Sequence, residues 1–278
     1  MSAYKTEAVE FPSQGVTLRG KLFTPETGAK NGKFPAISII GPILSIKEQS
    51  PIQYATRLAR HGFVTLIWDA RTLGESDGEP RQFESLSRKM QDMSASIDYL
   101  QSLPQVDKDK IGVIGICQGA NVIIGTAAKD PRIKALAPTC GNYVCRENAM
   151  RLYGNDPARL DARIARADEA KKKFESSGEV DYGMVIQPDK DSKLLEAETW
   201  RYDVRETAKQ IKQPYLLVHS DFADGGPTYA NATFDNIAST DKSKHWLGKA
   251  GHIEFYENPV VIDAAVVGLK AFFQRVLV

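Results

Sequence analysis

Lys110-Ile111-Gly112-Val113-Ile114-Gly115-Ile116-Cys117-Gln118-Gly119-Ala120 decides how the rest of this chain is read. A short apolar run ends in a glycine, a thiol and another glycine, and then opens into a helical pattern. Gly-x-Cys-x-Gly is the thiol form of a nucleophile elbow, a sharp strand-to-helix turn that holds an attacking side chain in strained backbone. Small flanking residues let neighbouring chain pass close. The turn also sets the N–H of Gln118 at a helix N-terminus, where partial positive charge suits a developing oxyanion and favours a thiolate. A buried Cys between two packing glycines is the plain alternative. The strand before and the helix after favour the elbow, because that is the context the motif requires.

Around this stretch the chain has 278 residues, enough for one large α/β domain with an insertion or for two small domains. Its 42% hydrophobic and 26% charged residues are ordinary for a globule. A net charge of +1 gives no electrostatic reason to bind nucleic acid or an anionic membrane. No apolar run reaches the ~18 residues of a membrane span, and the first residues lack the apolar region of a secretion signal. A cytoplasmic protein is expected. Three cysteines (Cys117, Cys140 and Cys145) are too few for a disulfide scaffold, although Cys140 and Cys145 are near enough in sequence to pair. No Cys/His cluster has zinc spacing, so neither metal nor cofactor is expected.

Upstream, residues 7–11 and 16–23 alternate polar and apolar about Ser13-Gln14-Gly15, which predicts an antiparallel hairpin at a sheet edge. Phe34-Pro35-Ala36-Ile37-Ser38-Ile39-Ile40 is nearly all apolar and reads as a buried strand. It ends at Gly41-Pro42-Ile43-Leu44, a loop placed to give a second oxyanion donor. Pro42 has no N–H, which makes Ile43 the donor, unless Gly-Pro merely turns the chain. Ser50 and Pro51 read as the N-cap and first position of a helix. Residues 63–69 are the next buried strand, and Asp69 and Arg71 are expected to brace the polar loop after it by an ion pair. Met90, Met93, Ile97 and Leu100 mark a helix over 83–103. The elbow strand, its helix and a strand over 133–139 follow.

After Cys140 the composition changes. Residues 156–175 form a charged helix with a thin apolar stripe of Leu160, Ile164, Ala167 and Phe174. Residues 178–191 read as loop, and 192–209 as one or two further helices. The stretch 145–208 therefore interrupts the strand–helix alternation, and a helical lid is expected there, between core segments 1–144 and 209–278. Core pattern resumes with a strand over 213–221, a loop holding Asp221 and Asp224, a helix, and a short strand over 244–247. Lys249-Ala250-Gly251-His252-Ile253-Glu254-Phe255-Tyr256 is a loop rising from that strand, and an amphipathic helix over 259–278 closes the chain.

Strand–helix alternation implies a mostly parallel sheet, whose ligands bind beyond the carboxyl ends of its strands. Cys117, the pair Asp221/Asp224 and His252 all fall at such ends or in the following loops. Their chain order is nucleophile, acid, base. An imidazole can draw the proton from a thiol, and a carboxylate can fix the imidazole's tautomer. The other histidines, His61, His219 and His245, sit in a helix-closing turn, at a strand end and within a short strand, and read as structural.

The whole pattern resembles the α/β-hydrolase superfamily, and within it the dienelactone-hydrolase-like branch with its related bacterial hydrolases and fungal polyketide transferases. The resemblance rests on Lys47-Glu48-Gln49, the run from Asp69 through Gly78-Glu79-Pro80-Arg81, Gly115-Ile116-Cys117, Asp130-Pro131-Arg132-Ile133-Lys134-Ala135 and Gly251-His252-Ile253-Glu254-Phe255-Tyr256. It implies Cys117 as nucleophile, His252 as base, and Ile43 and Gln118 as backbone oxyanion donors. Two departures stand out. The elbow closes with Gly119-Ala120 in place of Gly-Gly. The acid position after the strand holds Ala223, with Asp221 two residues early and Asp224 one late. Related sequences carry an acid directly after the Ser, which favours Asp221; Asp224 competes, and a Cys–His dyad without an acid stays open.

Three functions follow as expectations. The first is hydrolysis of a small-molecule ester, lactone or thioester through an acyl-enzyme. The second is acyl transfer to an alcohol or amine. The third is ligand binding without catalysis on the same scaffold. The expected partner is a small-molecule acyl substrate, with the oligomeric state, a homodimer included, left open.

Overall fold

A computed structural model describes residues 3–179 and 197–278. The expected loop over 178–191 and the start of the helices expected over 192–209 lie largely outside the described residues. The eight-stranded sheet runs in the order β1-β2-β4-β3-β5-β6-β7-β8. It begins with β1 (Tyr4–Ser13) and β2 (Val16–Pro25), the hairpin expected at one edge. Gln14 and Gly15 both have positive φ (48° and 82°), the two-residue geometry that matches strand twist. β2 meets β4 (Val64–Trp68) antiparallel. From β4 onward every pair is parallel: β3 (Phe34–Ile40), β5 (Val106–Ile116), β6 (Ala135–Thr139), β7 (Tyr215–His219) and β8 (Lys242–Trp246). This is the α/β-hydrolase fold expected from the alternation.

Parallel strands covered on both faces need apolar residues on both faces. β3 and β4 are buried at every position, as is β5 from Ile111 to Ile116. One face is covered by α1 (Ser50–Ala59) and α10 (Pro259–Leu277), through Tyr54, Leu58, Leu269 and Phe273. The other carries α2 (Leu86–Ser102), α3 (Gly119–Ala127), α7 (Val204–Ala208) and α8 (Gly226–Asn236), through Met93, Ile97, Val122 and Ala230. The N-cap of α1 is Gln49 rather than Ser50, which sits one residue inside the helix with Pro51 in the first turn.

The region between β6 and β7 holds α4 (Arg146–Arg151), α5 (Pro157–Ser177) and α6 (Ala197–Arg201). Ala149, Leu160, Ile164 and Ala167 make a small apolar cluster of their own, with Tyr153 and Trp200 packed against it. Three residues of the predicted α5 stripe, Leu160, Ile164 and Ala167, pack within this layer, and Phe174 is not part of the cluster. Asp69 and Arg71 brace their loop, but not with each other. Asp69 takes the buried Lys47 at 2.7 Å, and Arg71 takes Asp92 at 2.6 Å. Facing in different directions, each finds a partner on another element. All three cysteines are free thiols. Among the described residues no helix is long and apolar enough to cross a membrane.

Candidate active site

Strand β5 delivers Cys117 into the turn before α3. Its φ of +55° is the left-handed backbone that an L-residue enters only under constraint. The constraint is packing. A Cβ on Gly115 would lie 2.1 Å from the Gly119 carbonyl oxygen, and one on Gly119 would lie 2.8 Å from the Ile40 oxygen. Only glycines let the chain cross itself and β3 here. Cys117 is 7% exposed and lines a cavity of about 180 Å³ with Ile43, Gln118, Asn142, Val144, Asn148, Ala149, Leu152, Thr199 and Trp200. The sulfur thus reaches a ligand-sized space between the sheet and the helices α4 and α6.

His252 precedes the short helix α9 (Glu254–Glu257). The Asp224 N–H donates to its Nδ1 at 3.0 Å, and its Nε2 lies 2.6 Å from the Tyr256 hydroxyl. A backbone N–H can only donate, so Nδ1 carries the lone pair. The network therefore assigns the ring proton of the neutral imidazole to Nε2, which donates to the Tyr256 oxygen. That leaves the Tyr256 O–H to donate elsewhere; the hydroxyl neighbours the Cys117 thiol and pulls its proton affinity down, favouring the thiolate. A phenol stands between thiol and imidazole.

Burial pushes the Cys117 thiol up to about 11, against the Tyr256 hydroxyl and the Gln118 N–H, which both pull it down. Burial likewise pushes His252 below its ordinary value, with the Asp224 charge opposing. Near neutral pH both groups are uncharged. Asp224 is half-buried, and its carboxylate accepts from Asn142 and from Arg151 of α4. Asp221 is exposed, and its Oδ1 accepts from the Trp246 indole at 2.9 Å. Of the two residues, Asp224 is the one that meets His252, through its backbone N–H.

On the oxyanion side, the Ile43 N–H belongs to the peptide whose other end is the Pro42 carbonyl. That carbonyl is drawn away from the cavity by Ser45, whose Oγ donates at 3.0 Å. In a trans peptide the N–H points opposite to the C=O, so the Ile43 N–H faces away from Ser45, and Ile43 itself lines the cavity with Cys117. Two of the other histidines are held away from Cys117 by their own contacts. His219 is buried and stacked between Tyr143 and Trp246, and His245 meets the Ala264 carbonyl at 2.8 Å.

The profile of the X-Pro dipeptidyl-peptidase (S15) family matches residues 14–254, which takes in the elbow, both acids and the histidine. The chain belongs to the S15 family. Among its relatives, the Escherichia coli protein YcjY is 29% identical over 94% of this chain and 95% of its own length. PA2218 of Pseudomonas aeruginosa is 41% identical over 56% of this chain and 41% of its own; its crystal structure superposes over 100% of this chain and 95% of that one with a TM-score of 0.79. The polyketide transferase GrgF of Penicillium sp. is 32% identical over 55% of this chain and 53% of its own. Its structure, described as an α/β hydrolase, superposes over 98% of this chain and 99% of that one with a TM-score of 0.70.

In this S15 member the sequence reading missed Tyr256 as a site residue. The signal was present: His252 and Tyr256 are four residues apart, the spacing that puts two side chains on one side of a helical turn. Of the two residues that hold the Asp224 carboxylate, Arg151 lies in the stretch 145–208 read only as a lid, and Asn142 in the loop after β6.

Proposed function

We propose that this S15 member is a cysteine-nucleophile enzyme that cleaves a small-molecule ester, lactone or thioester through an acyl-enzyme. The observation that carries the reading is Cys117, held in left-handed backbone at a cavity and influenced by a neighbouring phenol that is 2.6 Å from an imidazole. The thiol in place of a hydroxyl is also what relates it to the dienelactone-hydrolase-like branch.

For the reaction the Asp224 N–H gives up Nδ1 and the Asp224 carboxylate exchanges Arg151 and Asn142 for the imidazole. His252 takes its proton on Nδ1, facing the Asp224 carboxylate once that group leaves Arg151 and Asn142. Nε2 then accepts from the Tyr256 O–H while the Cys117 S–H gives its proton to the Tyr256 oxygen. The net movement is one proton from sulfur to imidazole, with the phenol restored. The thiolate attacks the acyl carbon, and the N–H groups of Ile43 and Gln118 receive the charge on the former carbonyl oxygen. The leaving group takes the proton from His252 as the tetrahedral species collapses to a thioester. Water, activated by the same imidazole, releases the acid.

Acyl transfer is the second reading. It is favoured by the polyketide-transferase name of GrgF and by the apolar part of the cavity wall, Val144, Ala149, Leu152 and Trp200, which suits an acyl chain. The helices α4 and α6 then act as the lid that keeps the thioester for an alcohol or amine.

Pre-steady-state mixing with p-nitrophenyl acetate tests both. A burst of nitrophenolate equal to the enzyme concentration is expected, and Cys117→Ala abolishes it. Steady turnover that appears only with an added alcohol or amine selects transfer. Absence of a burst and of turnover, both with this ester and with Ala-Pro-p-nitroanilide as a peptidase control, defeats the enzymatic reading and leaves ligand binding.

A further inference from the structure

We propose that Glu84 and Lys89 are a positioning pair that fixes both oxyanion donors, Ile43 and Gln118, around the nucleophile. The inference rests on the acyl-enzyme reading above and deepens it. Glu84 directly precedes the N-cap of α2, Lys89 lies in its first turns, and both are buried, at 1% and 3% exposure. The Lys89 ammonium lies 2.7 and 2.8 Å from the two Glu84 carboxylate oxygens.

The contacts of this pair converge on the two oxyanion segments. Glu84 Oε2 accepts the Leu44 N–H at 2.7 Å. Leu44 has φ +53°, a left-handed conformation that a Leu adopts only when its surroundings impose it. That bond therefore pins the residue directly after Ile43. Lys89 Nζ donates to the Pro42 carbonyl at 3.4 Å and to Gln118 Oε1 at 3.3 Å. The Pro42 carbonyl and the Ile43 N–H share one planar peptide and point opposite ways. An ammonium on the carbonyl side, added to the Ser45 donors, keeps the N–H side turned to the cavity and polarises it. The same ammonium lowers the thiol's proton affinity.

A buried ion pair gives little net stability over apolar residues of the same volume. Charges placed where three of their bonds meet loop 42–44 and the residue after the nucleophile are better accounted for by geometry at the site. A lysine on a helix reads as solvated face, which is why α2 gave no such expectation.

The test compares Lys89→Met, Glu84→Ala, Glu84→Gln and the neutral double variant Glu84→Gln/Lys89→Met. One readout is p-nitrophenyl acetate acylation. The other is the pH profile of iodoacetamide alkylation of Cys117, with Cys117→Ala as background. Lys89→Met is expected to cut the acylation rate by about tenfold or more with KM within about twofold, because misdirected donors act on the transition state. Glu84→Gln, which keeps an oxygen for the Leu44 N–H, recovers part of the rate lost in Glu84→Ala. Alkylation of Lys89→Met shifts to higher pH.

Parental rates in folded Lys89→Met or in the neutral double variant overturn the proposal. So does a double variant that fails to fold, since the pair would then serve the fold and not the hole. A parent without a burst removes the acyl-enzyme reading by itself. In that case the alkylation profile still decides: an upward shift upholds the action of Lys89 on the site, and an unchanged profile overturns it.

Discussion

At the residue scale, the site sets two neutral groups on either side of a phenol. Because burial holds the Cys117 thiol up at about 11, the free enzyme contains little thiolate near neutral pH. Alkylation by iodoacetamide should keep rising with pH toward that value, with no plateau near pH 7. The Tyr256 hydroxyl pulls the thiol down, so Tyr256→Phe should displace the same profile to still higher pH; an unchanged profile would remove the phenol from the pathway. Acylation has the opposite sign of dependence on His252. Burial lowers this imidazole from 6.5, so the base form is already present at neutral pH and is lost only as pH falls through a value below 6.5. The acid limb of kcat/KM should therefore lie under that value. The two aspartates separate by mutation. Asp221, bonded to the Trp246 indole, should tolerate Asn with activity within about twofold, as exposed sites away from the chemistry do. Asp224→Asn removes the charge that favours the imidazolium and should lower kcat by about tenfold or more. Equal activity in both variants would indicate a dyad.

At the element scale, the elbow depends on glycines where chain crosses chain. Gly115 faces backbone atoms of Gly119 and Ala120, which cannot rotate aside as a flexible side chain can. Gly115→Ala should cost about 1–3 kcal/mol, read as a lower denaturant midpoint at unchanged m-value, and should slow acylation by moving the thiol. The elements themselves were legible. Continuous apolar runs marked β3, β4 and β5, and three- and four-residue spacing marked α2 and α10, because burial on a regular scaffold writes a period into the sequence. Side-chain direction within irregular loops was not legible. Asp221 and Asp224 are three residues apart, and which of them meets His252 depends on the turn between β7 and α8, where Gly225 adopts φ +73°. No periodicity encodes such a turn. Tyr256 was visible only as part of a motif, since its role comes from the return of α9 over the elbow. Lys89 and Glu84 were hidden for a different reason: charge on a helix ordinarily means solvent, and their burial is set by loop 41–45 folding over them.

At the scale of the whole molecule, the sheet gathers the carboxyl ends of β3, β5 and β7 at one edge, and the layer formed by α4 and α6 roofs the space above them. The sheet supplies the reacting groups, and the roof supplies the walls of the cavity, through Ala149, Leu152 and Trp200. Division of labour of this kind makes acyl-chain preference a property of the roof. A cavity of about 180 Å³ is slightly larger than the engineered space of about 150 Å³ that accepts benzene in another protein, so an acyl group of roughly six or seven carbons should fill it. Each buried methylene is worth about 0.8 kcal/mol, or roughly fourfold in kcat/KM, as long as it enters the cavity. Across p-nitrophenyl esters from acetate to dodecanoate, kcat/KM should climb by such steps to about the hexanoate and then level or fall. Trp200→Ala removes a wall without touching Cys117, Tyr256 or His252, so it should move that maximum to longer chains while leaving the acetate burst intact. A maximum that stays at the same ester would mean that the chain leaves by another route and that the α4–α6 layer does not read the acyl group.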